Sequence, residues 1–158
     1  MIEVRKHPGS EKTEVPEALN AKIEMDTLKV LEIRNKPEAV KEPKVIKLAL
    51  SFSEAFLTVT PVGEDIHILF SGGDRPHIGC TMMAVPRESL TGDGSISVTS
   101  SVMNLTGHKD EAVCRELAEA WCRKTGRVTV CTGGFHVDNI TAEQIAELME
   151  EIRKIICR

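Results

Sequence analysis

From Val45 onward apolar and polar residues alternate in short runs, the period of half-buried strands. Lys47-Leu48-Ala49-Leu50-Ser51-Phe52 is the first such run and Phe56-Leu57-Thr58-Val59-Thr60 the second. Pro61-Val62-Gly63-Glu64-Asp65 reads as a turn into a third strand, Ile66–Phe70. A fourth, Ile78 to Val85, follows the stretch Ser71–Gly79, and a fifth, Ser95 to Met103, follows the turn signal Thr91-Gly92-Asp93-Gly94. Short turns between short strands predict antiparallel meanders, because parallel neighbours need long crossovers. On that expectation Gly72–Gly79 is the turn of a hairpin.

The period then changes. A helix is predicted from about Lys109 to Lys124, with Val113, Leu117, Ala120 and Trp121 as its apolar stripe. Asp110 and Glu111 fall in its first turn and Arg123 and Lys124 in its last, both matching the helix dipole, and Gly126 is a natural stop. The strand Arg127–Cys131 comes next. A second helix starts at Thr141, where Thr141 and Gln144 form a capping box and Ile140 can staple to Ile145. Ile145, Leu148, Met149, Ile152, Ile155 and Ile156 are its expected buried stripe. The fold class is therefore α+β, a mainly antiparallel sheet with two C-terminal helices packed on one face.

Residues 1–43 have a different character, rich in lysine and glutamate, with prolines at 8, 16, 37 and 43. We expect an N-terminal extension or arm over 1–43 and a single α+β domain over 44–158. Within the extension, Leu19–Ile33 could form a short helix, although Leu28–Ile33 also alternates like a strand.

Composition narrows the partners. A net charge of −4 on 158 residues leaves no electrostatic footprint for nucleic acid. One tryptophan, four phenylalanines and no tyrosine argue against base-stacking platforms. No apolar run approaches the roughly 20 residues of a membrane span. The start, Met1–His7, lacks the apolar core of a signal peptide, so a cytoplasmic location is expected. Five scattered cysteines without a C-x-x-C fit reduced structural thiols, with Cys80 and Cys131, each beside glycine, as the two to watch.

Candidate chemistry gathers at three glycine–histidine stretches. Gly72-Gly73-Asp74-Arg75-Pro76-His77-Ile78-Gly79 carries an acid, a guanidinium and an imidazole within four residues, more than a turn needs. Gly107-His108-Lys109 opens the first helix, and Gly133-Gly134-Phe135-His136-Val137-Asp138-Asn139 lies between a strand and the second. Three readings stay open. The stretches could cradle an anion, phosphate most naturally, with the backbone N–H groups of the glycine pairs, Arg75 and Lys109. His77, His108 and His136, with Asp74 or Asp138, could hold a divalent metal. Or the glycines serve turns and the histidines hydrogen-bond neighbouring backbone.

These three blocks, in this order and spacing, resemble a family of small proteins that are similar to the D component of gallate decarboxylase and are also described as prenylated flavin chaperone-like. The resemblance runs over roughly Ala55 to Ile156. It implies a fold similar to proteasome assembly chaperones and a homodimer. It implies an accessory role beside aromatic-acid decarboxylases that use prenylated flavin mononucleotide (prenylated FMN), rather than catalysis. Carried over by position, the matching residues are Gly72, Gly73, Asp74, Arg75, His77, Gly79, His108, Lys109, His136 and Asp138; with Gly107, Gly133 and Gly134 they form the candidate set for binding prenylated FMN or FMN. The alternatives are a metal-dependent small-molecule enzyme and a pure protein-assembly chaperone.

Overall fold

The computed structural model describes residues 41–157; the segment Leu19–Ile33 lies outside them. Six strands form one sheet: β1 (Lys44–Ala49), β2 (Glu54–Val62), β3 (Asp65–Gly73), β4 (Cys80–Glu88), β5 (Ile96–Asn104) and β6 (Thr129–His136). Two helices, α1 (Glu111–Thr125) and α2 (Ala142–Ile156), complete the α+β domain. Among the described residues no helix is long and apolar enough to cross a membrane.

The strand order is β1-β2-β3-β6-β4-β5. Every neighbouring pair is antiparallel except β3 with β6. This corrects the expected hairpin. β3 and β4 do not pair; β6 inserts between them, delivered by the long crossover through α1 that a parallel pairing requires. Residues 74–79 therefore cross over the end of β6. The register shows it: Gly73 stands opposite His136 and Cys80 opposite Gly133.

Alternation within the strands selects one buried face. Ala55, Leu57 and Val59 of β2, Ile66, Ile68 and Phe70 of β3, Cys80, Met82 and Ala84 of β4 and Cys131 of β6 are buried together. From α1 they meet Val113, Cys114, Leu117, Ala118 and Cys122, and from α2 Leu148 and Ile152. The buried stripe of α1 is thus rotated from the expected one: two cysteines sit in the core while Ala120 and Trp121 lie at its margin. Ile145 of the expected α2 stripe is exposed. Acidic residues of the two helices tie elements together. Glu147 accepts from the backbone N–H and hydroxyl of Ser51, and Glu116 accepts from Arg153.

Gly133 lets β6 pass through the sheet. Its φ is +138°, a region side chains rarely adopt, and a Cβ there would overlap the carbonyl oxygen of Phe70. Beyond it Phe135 packs on Phe70, with ring centroids 6.3 Å apart, and His136 follows at the strand end. The C-terminal ends of β3, β6 and β5, the start of β4 and the N-terminus of α1 consequently share one end of the sheet.

Candidate functional site

At that end the three histidines meet. The rings of His77 and His108 lie 4.5 Å apart, and those of His77 and His136 6.3 Å. Around them two small clusters form side by side.

The outer cluster is Arg75, His136 and Asp138. Arg75 Nη2 lies 2.7 Å from Nε2 of His136, and the same nitrogen pairs with Asp138 Oδ1. His136 Nε2 and Asp138 Oδ1 are 3.0 Å apart, so one guanidinium nitrogen serves both. The His136 hydrogen bond, with the Arg75 guanidinium beside it, holds the Asp138 carboxyl below the usual carboxylate range. The Arg75 side chain is 66% exposed, so this pair faces solvent.

The inner cluster is His77, His108 and Asp110. Nε2 of His77 is 2.8 Å from Nδ1 of His108 and 3.2 Å from Oδ2 of Asp110, and the latter two are 3.6 Å apart. Nδ1 of His77 lies 3.1 Å from the carbonyl oxygen of Arg75, which can only accept. The other Asp110 oxygen, Oδ1, accepts from the backbone N–H of Phe135 at 2.9 Å. Asp110 is 8% exposed and caps the N-terminus of α1 by position, without a side-chain capping bond. Two glycines permit this approach. A Cβ on Gly79 would overlap Asp110 Oδ2, and one on Gly134 would stand 2.7 Å from His77 Nε2.

The remaining expected residues divide. Asp74 enters through its backbone, its N–H donating to the His136 carbonyl at 2.7 Å, while its side chain is exposed. Gly72 and Gly73 close β3, and Gly133 and Gly134 lie inside β6, so these pairs belong to the sheet rather than to open loops. Gly107 lies in the connection from β5 to α1, and Lys109 is exposed before the helix. Asp110 lies outside the expected set. Its signal is an acidic residue directly after Gly-His-Lys at a helix start, where dipole complementarity already accounts for it. Ile78 and Leu105 are also outside that set. Both are exposed, and the Leu105 N–H donates to the carbonyl of Gly79, the residue after Ile78, at 2.8 Å.

Cys80, Cys114, Cys122 and Cys131 are buried free thiols. Burial, with Cys114 alongside, pushes the Cys80 thiol up to about 12, and burial pushes Cys122 up to about 11. A groove between α1 and α2, lined among others by Arg115, Glu119, Met149 and Arg153, includes none of the site residues.

No curated protein matches the chain. The profile of the prenylated flavin chaperone LpdD-like domain matches residues 53–158, a span that takes in β2 to α2 and both clusters. With two thirds of its length inside that profile, the chain belongs to the prenylated flavin chaperone LpdD-like family.

Proposed function

We propose that this protein is a non-catalytic accessory protein that binds a phosphate-bearing flavin, prenylated FMN or FMN, and delivers it to an aromatic-acid decarboxylase. The observation that carries the reading is the pairing of an exposed cationic group with exposed apolar side chains at one end of the sheet, in a chain of this family. Arg75 and His136 would take the phosphate, with Lys109 adding charge. Ile78 and Leu105 offer apolar surface to a planar ring system beside them. Asp138 then acts as the stand-in anion that presets the guanidinium and yields it to the ligand. Gly72, Gly73, Gly79, Gly107, Gly133 and Gly134 hold the backbone that presents these groups, and His77, His108 and Asp74 border them. A homodimer in the cytoplasm is part of the same reading.

Titration of the purified protein with FMN and with prenylated FMN, followed by flavin absorbance, tests it. Saturable binding is expected, weakened at least about tenfold in Arg75→Ala, since a charge-assisted contact contributes roughly 1.5–3 kcal/mol. Binding of neither flavin, or equal affinity in Arg75→Ala, would sink the reading.

A further inference from the structure

We propose that His77, His108 and Asp110 form a binding site for a divalent transition-metal ion of the zinc or iron(II) type. Such a site would be independent of flavin binding.

Two fixed hydrogen bonds aim lone pairs into the cluster. The carbonyl of Arg75 takes the Nδ1–H of His77, so a neutral His77 presents its lone pair at Nε2. The N–H of Phe135 occupies Oδ1 of Asp110, so Oδ2 is the oxygen turned to the cluster. Nε2 and Oδ2 face each other at 3.2 Å, two acceptors that need a proton or a cation between or beside them, with Nδ1 of His108 2.8 Å from the first and 3.6 Å from the second. These two fixed bonds are also the outer-shell partners that orient an imidazole and a carboxylate in metal sites.

The outer cluster holds a comparable pair with a cation against it. There His136 Nε2 and Asp138 Oδ1, an equivalent imidazole–carboxylate pair 3.0 Å apart, have the guanidinium of Arg75 against both. Among the described residues, the ion-pair partners of Asp110 are the two histidines. The positive charge that Arg75 supplies to one cluster has no side-chain counterpart in the other.

The spacing of the donor atoms also suits one ion. The three donor atoms lie 2.8, 3.2 and 3.6 Å from one another. Ligands at about 2.0–2.1 Å from a common ion are separated by roughly 2.9 Å in octahedral and 3.4 Å in tetrahedral geometry. The observed spread brackets both, so small adjustments place all three on one ion. Two imidazoles and one carboxylate match zinc and non-haem iron(II) rather than calcium or magnesium. The side chains of His77 and His108 are 22% and 31% exposed, which leaves an approach for the ion and room for further ligands from solvent. Gly79 and Gly134 press the strand backbone against the same atoms, so the donors cannot spread far apart. The expected three-histidine set is thereby altered: Asp110 takes the place of His136, which Arg75 engages.

The test uses the full chain produced without an affinity tag. Metal-free protein is titrated with zinc(II) by calorimetry and with cobalt(II) by visible absorption. One equivalent is expected, with cobalt d–d bands in the native protein. His108→Ala should weaken uptake by more than the ten- to hundredfold that loss of an outer-shell partner costs, while His136→Ala should keep one equivalent. Asp110→Asn should also lose the ion; because that change also disturbs the Phe135 contact, His108→Ala, whose side chain is more exposed, is the deciding variant. A folded wild-type chain that takes up neither metal overturns the proposal and leaves a proton as the shared charge. Unchanged uptake in folded His108→Ala, or loss in folded His136→Ala, overturns it as well.

Discussion

Gly79 illustrates how much of this protein turns on single atoms. It is buried, its N–H donates to the Gly133 carbonyl at 3.1 Å, and its α-carbon backs onto Asp110 and His77. A methyl group there must displace the carboxylate that receives the Phe135 N–H. Gly79→Ala is therefore expected to cost about 1–3 kcal/mol, the usual range for overpacking a tight site. Thermal unfolding should show it as a lower melting temperature, whereas an unchanged transition would mean that Asp110 moves away freely. The same position explains why the inner cluster is only half legible in the sequence. Gly79, His77 and His108 stand out as residue types in unusual company. Asp110 does not, since an acid at a helix start has a sufficient local reason to be there. Only its burial and its contacts separate it from Glu111, which is paired on the surface with Arg115.

At the scale of elements, α2 is the part that local rules specify best. Both halves of its capping box form, the Thr141 hydroxyl accepting from the Gln144 N–H at 3.3 Å and the Gln144 side chain accepting from the Thr141 N–H at 2.9 Å. Thr141→Ala should destabilise the domain by about 1 kcal/mol. Chemical denaturation should detect a lower midpoint with an unchanged slope; an unaltered midpoint would show that packing of Leu148 and Ile152 alone holds the helix. The strands are legible in position but not in partnership. Period-two alternation locates β2, β3 and β4, yet β3 and β4 are each bonded to β6 rather than to each other. Alternation reports which face of a strand is buried and carries no information on its neighbour. The α1 stripe departs from expectation for a related reason: Cys114 and Cys122 pack as small apolar residues, so the core-facing side includes them in place of Ala120 and Trp121.

At the scale of the whole molecule, the sheet, the two helices and the site form a continuous structure from β1 to α2. We expect residues 44–158 to be one folding unit. A chain of residues 41–158 should then unfold in a single cooperative transition, with the melting temperature and near-ultraviolet circular dichroism close to those of the full chain. Loss of the cooperative transition on removing residues 1–40 would show that the extension completes the domain. The order of strands also decides where chemistry can occur. Because β6 enters parallel to β3, its end and that of β3 coincide, and the chain from Gly73 to Cys80 must pass over it. That crossing sets Arg75 against His136 and His77 against His108, residues separated by 61 and 31 positions in the chain.

By itself the sequence determined the α+β class, the strand segments, both helices with the caps of α2, the reduced thiols, the family and the three stretches that carry the histidines. Those properties follow from local periodicity, turn chemistry and residue type, all of which act over a few positions. Folding alone sets β6 between β3 and β4 and gathers the three stretches into two clusters rather than one. Folding also sets Asp110 beside His77 and His108, and His136 beside Arg75 and Asp138. These depend on long-range pairing, and a parallel pairing across a helical crossover leaves no mark in the residues it joins.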